Sequence, residues 1–127
     1  MGEFSFKRPQ RLLNASEFQQ VFDHVDAKVG HQAFLILATC NSRSHGRLGL
    51  IVAKKHLKRA VARNAFKRQV RESFRIHQAM LGGIDLIVMA RAGAQTFTPQ
   101  ALRAEIEKAW PRLRKRLPLP DKVDSAT

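Results

Sequence analysis

The sequence predicts an α+β fold, a two-layer α/β sandwich with a sheet of about four strands and three helices. Three segments place apolar residues at the spacing of one helical face, and several short apolar runs rich in β-branched residues are typical of buried strands. The elements follow the order helix, strands, long helix, strand, helix. One sheet with the helices packed on one face would bury every apolar stripe.

The 127 residues are enough for one domain with its own core, which we place at residues 1–118. Residues 1–13 are predicted to form a flexible basic arm, and Pro9 argues against an early helix. After Pro118 the composition turns to Pro, Asp, Lys and Ser, so residues 119–127 are predicted to be a disordered tail.

The first helix is predicted from Ala15 to about His24. Asn14 and Glu17 have the spacing of a capping box, which marks the start of a helix. The apolar residues that follow at helical spacing are Phe18, Val21, Phe22 and Val25.

Three strands are predicted from apolar runs, at Ala33–Cys40, Arg47–Ala53 and Ile84–Ala90, and a further strand is expected in the short stretch Ala27–His31. Turn-forming residues at positions 41–46 separate the first two runs, so these two strands are predicted to pair as a hairpin.

The second helix is predicted from about Lys58 to Met80 and is ended by the pair Gly82-Gly83. Its apolar side consists of Ala62, Phe66, Val70 and Phe74. The spacing of four residues lets this side pack while another side of the same helix stays charged.

The last helix is predicted to begin at Thr98, with Pro99 in the first helical position. Pro111 is expected to kink or interrupt it, because proline lacks the backbone donor and clashes with the preceding turn. The apolar stripe of this helix is Leu102, Ile106, Trp110, Leu113 and Leu117.

Charge is the most unusual property of the chain. Lys and Arg outnumber Asp and Glu by 23 to 10, a net charge of +13, so any polyanion attracts the protein. Nine of the 23 basic residues lie between Lys54 and Arg75, a stretch of 22 residues. Between Asp26 and Asp85 the sequence contains one acidic residue, Glu72.

Five of these cations recur every four residues along the second helix, at Arg59, Arg63, Lys67, Arg71 and Arg75. Like charges at this spacing repel by a few tenths of a kcal/mol per pair. A merely solvated helix face normally mixes charge signs, so that interpretation is weak here. RNA or DNA phosphates would turn the repulsion into a gain and release counterions.

The same segment carries a longer pattern: Arg63-Asn64, two spacers, Lys67-Arg68, two spacers, Arg71-Glu72, one spacer and Phe74-Arg75. It is preceded by "LGLIVAKK" and followed by "DLIVMAR". Over residues 11 to 117 the chain strongly resembles the bacterial ribonuclease P protein family.

The resemblance implies a small basic subunit that binds a large catalytic RNA, is monomeric when free, and needs no other protein. The ribonucleoprotein, an endoribonuclease, removes the 5′ leader from precursor tRNA, and the protein broadens substrate recognition. The active site and its magnesium ions belong to the RNA, so the protein itself is expected to bind no cofactor. A left-handed strand–helix–strand crossover around the basic helix is also implied.

The resemblance also implies two sets of binding residues. The catalytic RNA is expected to contact Lys58, Arg59, Arg63, Asn64, Lys67, Arg68, Arg71 and Arg75. The leader is expected to contact Phe18, Phe22, Lys54, Lys55 and Arg91, since single-stranded RNA is held by stacking beside a positive groove. Spacing alone leaves open that Phe18 and Phe22 are core residues, and Phe34, a third candidate aromatic, is assigned to the core.

Three features depart from the family pattern. Glycine is common where Leu57 stands, a basic residue is common where Ala65 stands, and the chain contains no tyrosine. For Asp85, at the start of the last strand, a role near a metal is one reading. We favour a strand-end acid near the basic helix.

Nothing predicts catalysis or metal binding by the chain itself. The five histidines are scattered, there is one cysteine, and no paired carboxylates are visible. The apolar surroundings of Cys40 predict a buried, inert thiol in a reducing compartment. No signal peptide or membrane span is apparent, so a cytoplasmic protein without membrane contact is expected.

Two other functions remain open from composition alone. The chain could be a general nucleic-acid-binding protein, ribosomal or DNA-associated, or a nuclease that acts without RNA. The basic signature with its flanking strands disfavours the first, and the lack of a carboxylate cluster disfavours the second.

Overall fold

The computed structural model describes residues 11–12 and 14–117 and confirms the mixed α+β fold with a four-stranded sheet. The strands are β1 (Ala27–Gly30), β2 (Phe34–Cys40), β3 (Arg47–Ile51) and β4 (Ile84–Ala90). The helices are α1 (Ala15–Asp23), α2 (Ala60–Ile76), the single-turn α3 (Gln78–Leu81) and α4 (Pro99–Arg116), with a 3₁₀ turn at Ala92–Thr96.

Two residues that the sequence placed in the flexible basic arm, Arg11 and Leu12, belong to the fold. Leu12 is buried, its backbone N–H donates to the Leu48 carbonyl oxygen at 3.1 Å, and Arg11 forms a parallel bridge with Leu48. An apolar residue at the end of the arm therefore joins the core beside β3. The remaining residues of the arm and the predicted tail at 119–127 lie outside the described residues.

The order of strands in the sheet is β1-β2-β4-β3, so the predicted hairpin between β2 and β3 is wrong. β4 lies between these strands, antiparallel to β2 and parallel to β3. Its first five residues, Ile84–Val88, are all buried, which suits a central strand covered on both faces. The parallel pair requires a crossover connection, which contains α2, and its left-handedness stays a prediction.

Helices lie on both faces of the sheet, whereas the sequence predicted them on one face. Helices α2 and α4 cover the larger core, which includes Leu86 and Val88 of β4. Helix α1 covers the opposite face, where Val21 packs with Ile87 and Leu12. Because side chains alternate along a strand, β4 contributes to both cores, and a continuous apolar run does not reveal this.

The predicted long helix is divided at His77. The backbone there leaves the helical region, and His77 Nδ1 contacts the Ser73 carbonyl oxygen at 2.8 Å. The change of direction lets Leu81 of α3 enter the core, where it is fully buried. Gly82 follows as the C-cap, as the sequence predicted.

Pro111 was predicted to kink or interrupt the last helix. Helix α4 is continuous through Pro111, so the interruption does not occur, and the kink stays a prediction. Proline leaves the Glu107 carbonyl without its usual intrahelical donor. Tertiary packing compensates, since Trp110 and Leu113 on either side of the proline are fully buried. Trp110 Nε1 also donates to Ser73 Oγ at 2.8 Å, which joins α4 to α2.

Cys40 is exposed at the end of β2, so the prediction of a buried thiol is wrong. The residue ends an apolar run, but the strand leaves the core before that position. Partial burial, and then the nearby Asp26 carboxylate, raise the pKa of the Cys40 thiol above its usual range.

Candidate nucleic-acid interface

Helix α2 is amphipathic, and its two sides have different partners. Phe66, Val70 and Phe74 are buried in the larger core, as the sequence predicted. Helix α4 packs beside α2 on the same face, with α4 near β1 and α2 near the edge strand β3. The side of α2 turned away from the core is left to its charged residues.

The residues predicted to bind the catalytic RNA lie on α2 and just before it. Five are exposed and three are half-buried. Each step of four residues turns about 40° around a helix, so the row from Arg63 to Arg75 winds by about 120°. The apolar row winds at the same rate, and therefore the two rows stay apart. The exposed set is Lys58, Arg59, Asn64, Arg68 and Arg71, and the half-buried set is Arg63, Lys67 and Arg75.

Arg63 has a local structural role besides its predicted role. Its Nη1 donates to the carbonyl oxygens of Leu57 and Lys58 at 2.9 and 2.8 Å. These bonds secure the segment that leads from β3 into α2. Its effect on binding is therefore inseparable from its effect on this segment, and Arg68 and Arg71 are cleaner probes of charge.

Glu72 forms an ion pair with Arg75 on the same helix. The hydrogen bond that Arg75 donates to Glu72 lowers the pKa of the Glu72 carboxyl, so the pair stays charged near neutral pH. Within the described part of the chain, no ion pair joins Lys67, Arg68 or Arg71 to an acid. Three cations of α2 are thus available to an external anion.

A second surface lies on the opposite face of the sheet, where α1 packs. Phe18 is half-buried and rests on Gly49, where a methyl group would come within 2.6 Å of Phe18 Cζ. Phe22, one turn later, is 39% exposed. The sequence left open whether these two aromatics are core residues or exposed binding residues. Phe18 packs in the core, whereas the ring of Phe22 is exposed to solvent.

Cations gather at one edge of this sheet. Lys54 and Lys55 follow β3, Arg91 follows β4, and the parallel pairing of the two strands brings their carboxyl ends to the same edge. All three side chains are exposed. Arg91 Nη1 donates to the His31 carbonyl oxygen at 3.1 Å, which holds its guanidinium near the β1–β2 turn.

The sequence did not identify the residues that form the sheet surface between α1 and this cationic edge, which we call the floor. Leu35, Met89 and Ile51 pair in one register row across three strands, and each is half-buried. Lys28 pairs with Leu37 on the same face and is exposed. Strand alternation could have indicated these residues only if the covered face of each strand had been known.

A buried ion cluster anchors α1 to the sheet. Arg47 of β3 donates to both carboxylate oxygens of Asp85, at 2.9 and 2.6 Å, and to Glu17 of α1 at 3.1 Å. Asn41 Nδ2 also donates to Asp85 at 2.6 Å. The bond to Asp85 raises the pKa of Arg47, which stays charged. Asp85 is thus the counter-ion of Arg47 on the α1 face and does not lie beside the basic helix. Glu17 directly precedes Phe18, so the cluster also positions the candidate aromatics.

Comparisons with known proteins agree with this architecture. The sequence model of the ribonuclease P family matches residues 6–114. The chain belongs to the ribonuclease P protein family. The ribonuclease P protein component of Marinobacter nauticus is 44% identical over 116 residues, which cover 91% of this chain and 87% of that protein. The component of Pseudomonas entomophila is 43% identical over 121 residues, covering 95% and 91%.

Solved structures of ribonuclease P proteins share the fold. The protein of Staphylococcus aureus superposes with a TM-score of 0.67 at 30% identity, covering 84% of this chain and 93% of that one. The protein of Thermotoga maritima gives a TM-score of 0.67 at 27% identity, covering 83% and 96%. The family resemblance that the basic signature indicated is therefore confirmed.

Two further findings concern the described residues of this family member. Among residues 11–12 and 14–117, no group of three or more His, Cys, Asp or Glu side chains could hold a metal ion. In the same part of the chain, no helix has the length and apolarity needed to cross a membrane.

Proposed function

We propose that the chain is the RNA-binding protein subunit of ribonuclease P, which removes the 5′ leader from precursor tRNA together with a catalytic RNA. Membership of the ribonuclease P protein family supports this function. The observation that carries it is the set of cations on α2, among which Lys67, Arg68 and Arg71 have no acidic partner within the described residues. Such a set is costly in the free protein and becomes favourable when phosphates bind.

The RNA subunit is proposed to bind the solvent side of α2. Arg68 and Arg71 are exposed there, and arginine can hold a phosphate through two parallel hydrogen bonds. The proposed contact set also includes Lys58, Arg59, Arg63, Asn64, Lys67 and Arg75. Binding of this kind weakens steeply as salt concentration rises.

The leader is proposed to bind on the opposite face, between α1 and the cationic edge. Phe22 supplies an exposed ring for stacking, and the half-buried row that includes Met89 supplies an apolar floor. Lys54, Lys55 and Arg91 would attract the phosphates of the leader. Phe18 contributes from the core by supporting this surface. One strand of RNA could therefore bind here while the RNA subunit binds α2.

Catalysis is proposed to belong to the RNA subunit, which uses magnesium ions, while the protein binds no cofactor of its own. We further propose that the chain acts in the cytoplasm, is monomeric when free, and needs no protein partner.

The test is a reconstitution assay with a bacterial ribonuclease P RNA and 5′-labelled precursor tRNA at low magnesium. Each component is also assayed alone. Cleavage at the mature 5′ end that needs both protein and RNA is the expected result. Cleavage by the protein alone would indicate a stand-alone nuclease. No stimulation of the RNA, combined with equal affinity for duplex DNA, would indicate a general nucleic-acid-binding protein.

A matched pair of variants locates the contact. Arg68→Ala/Arg71→Ala removes two exposed cations from α2, and Arg112→Ala/Lys115→Ala removes two exposed cations from α4. Only the first pair is expected to weaken binding of the RNA subunit strongly and to reduce the slope of log affinity against log salt by roughly 1.5. Equal effects of the two pairs would refute a specific role for α2.

A further inference from the structure

An apolar groove lies between the first turns of α2 and the beginning of α4. Its floor is formed by buried side chains, among them Leu57, Phe66 and Leu102. At its rim Val61 is 79% exposed, the largest exposure among the large hydrophobic residues that the structure describes. The cavity volume is about 240 Å³.

The groove continues along α2 toward the basic row. A second concavity of about 350 Å³ shares Val61, Ala65 and Pro99 with the first, and it reaches Asn64 and Arg68. Arg59 stands at the rim of the first concavity. Neither concavity has an acidic residue among its described lining residues. The surface is thus apolar at its centre and cationic at both ends.

This combination matches the chemistry of a nucleotide. A base has an apolar, planar face, and the phosphates on either side of it are anionic. Pockets for drug-sized ligands usually measure about 300–1,000 Å³, so 240 Å³ has room for a single ring system and not for a large cofactor. Unpaired RNA bases are commonly held between apolar or aromatic side chains.

We propose that this groove takes one unpaired base of the RNA subunit, with the adjacent phosphates on Arg59 and Arg68. The inference rests on the proposed function, because it assigns a site within the same interface. It adds a contact of a different kind, since a base in an apolar groove can specify a position on the RNA, whereas phosphate contacts on α2 cannot. A second copy of this chain is a poor occupant, because two chains of net charge +13 repel.

Filling the groove is the first test. Ala65→Leu adds apolar volume without changing charge and keeps a strong helix former in α2. The measurement is affinity for a bacterial ribonuclease P RNA over a range of salt concentrations. We expect about tenfold weaker binding with an unchanged salt slope, because a base contact is lost and no phosphate contact is lost. Arg68→Ala is expected to reduce the slope by about 1.

Two further variants separate binding from folding. Val61→Ser removes the apolar rim at a highly exposed position, and Ile76→Ser makes the same kind of change at the other end of α2, where Ile76 is 43% exposed. Val61→Ser is expected to weaken RNA binding several-fold, and Ile76→Ser to leave it unchanged. Equal effects of Val61→Ser and Ile76→Ser would overturn the proposal.

Cross-linking identifies the occupant. Val61→Cys, in a Cys40→Ser background and carrying a photoactivatable label, is expected to cross-link to a nucleotide that is unpaired in the RNA. Removal of that base should weaken binding by the wild-type protein and leave binding by Ala65→Leu unchanged. Cross-links confined to paired RNA, or self-association of the protein that Val61→Ser abolishes, would overturn the proposal.

The two proposals can fail separately. If Arg68→Ala/Arg71→Ala weakens binding of the RNA subunit and Ala65→Leu does not, the groove proposal is wrong and the proposed function stands. If the wild-type protein fails to bind the RNA subunit at all, both are wrong.

Discussion

Replacement of Arg47 by methionine should destabilise the protein through a single buried charge. The side chain of Arg47 is 12% exposed and that of Asp85 is 4% exposed, and they share two hydrogen bonds. Methionine keeps much of the volume of the arginine side chain. It leaves the Asp85 carboxylate with the Asn41 amide as its side-chain donor within the described residues. A buried charge that loses its counter-ion is strongly unfavourable.

The size of the effect follows from the burial of Asp85. Breaking a buried ion pair by removing one partner costs about 3–5 kcal/mol. Because Asn41 still donates to Asp85 at 2.6 Å, we expect the lower end, about 3 kcal/mol. For a chain of 127 residues a loss of 1 kcal/mol lowers the Tm by about 4 °C, so the Tm should fall by about 12 °C.

The assay is thermal unfolding followed by circular dichroism, with Asp85→Asn and the double variant measured alongside. Asp85→Asn should cost less than Arg47→Met, because Arg47 keeps Glu17 at 3.1 Å. The double variant should be more stable than Arg47→Met alone, because a neutral amide replaces the uncompensated carboxylate. A double variant less stable than Arg47→Met would refute the reasoning.

Arg47→Met should also weaken binding of the leader more than binding of the RNA subunit. Arg47 holds Glu17, and Glu17 directly precedes Phe18, so its loss should release α1 from the sheet. Hydrogen exchange should therefore accelerate in the amides of α1 more than in those of α2. Leader affinity is expected to fall, while affinity for the RNA subunit should change little below the unfolding transition.

Three further predictions concern other parts of the molecule. Trp110→Phe removes the 2.8 Å hydrogen bond to the buried Ser73 hydroxyl and should lower the free energy of unfolding in denaturant by about 1–3 kcal/mol. A decrease below about 0.5 kcal/mol would contradict this prediction. Because the pKa of Cys40 is raised, its alkylation rate should still increase above about pH 8.5, and a plateau below that pH would contradict the assignment. Arg75 lowers the pKa of the Glu72 carboxyl in the folded state. The pair therefore stabilises the protein fully above the pKa of the unfolded carboxyl, which is about 4.3. This stabilisation is lost as the pH falls through the lower pKa of the folded state. The difference in Tm between wild type and Glu72→Gln should therefore be steady from about pH 5 to 7 and close below about pH 4, whereas a gap that widens in acid would refute it.

Local signals in the sequence were sufficient for most helix starts. The capping box of Asn14 and Glu17 is present, and the Thr98 side chain accepts from the backbone N–H of Ala101 at the start of α4. Caps act within one turn, so they can be read from neighbouring residues. The division at His77 and the continuity through Pro111 could not be read this way, because packing against the core decides both.

In the candidate site, too, local features could be predicted from the sequence and features that depend on packing could not. The row of cations on α2 was visible in the sequence because its period matches the helix, and Phe66, Val70 and Phe74 are buried as that period requires. The surface proposed to bind the leader could not be recognised from the sequence. Its floor comes from three strands, and a continuous apolar run does not show which face of a strand is covered.

The sequence by itself determined the strands, the long helices, the charge of α2 and the family. These depend on periodicity, capping and charge, which act over a few residues. Only the tertiary structure decided that β4 separates β2 from β3, that α1 lies on its own face, and that Arg47, Asp85 and Glu17 form one cluster. These arrangements join residues far apart in the chain, such as Glu17 and Asp85, which are 68 positions apart, and they depend on competition for burial across the whole chain.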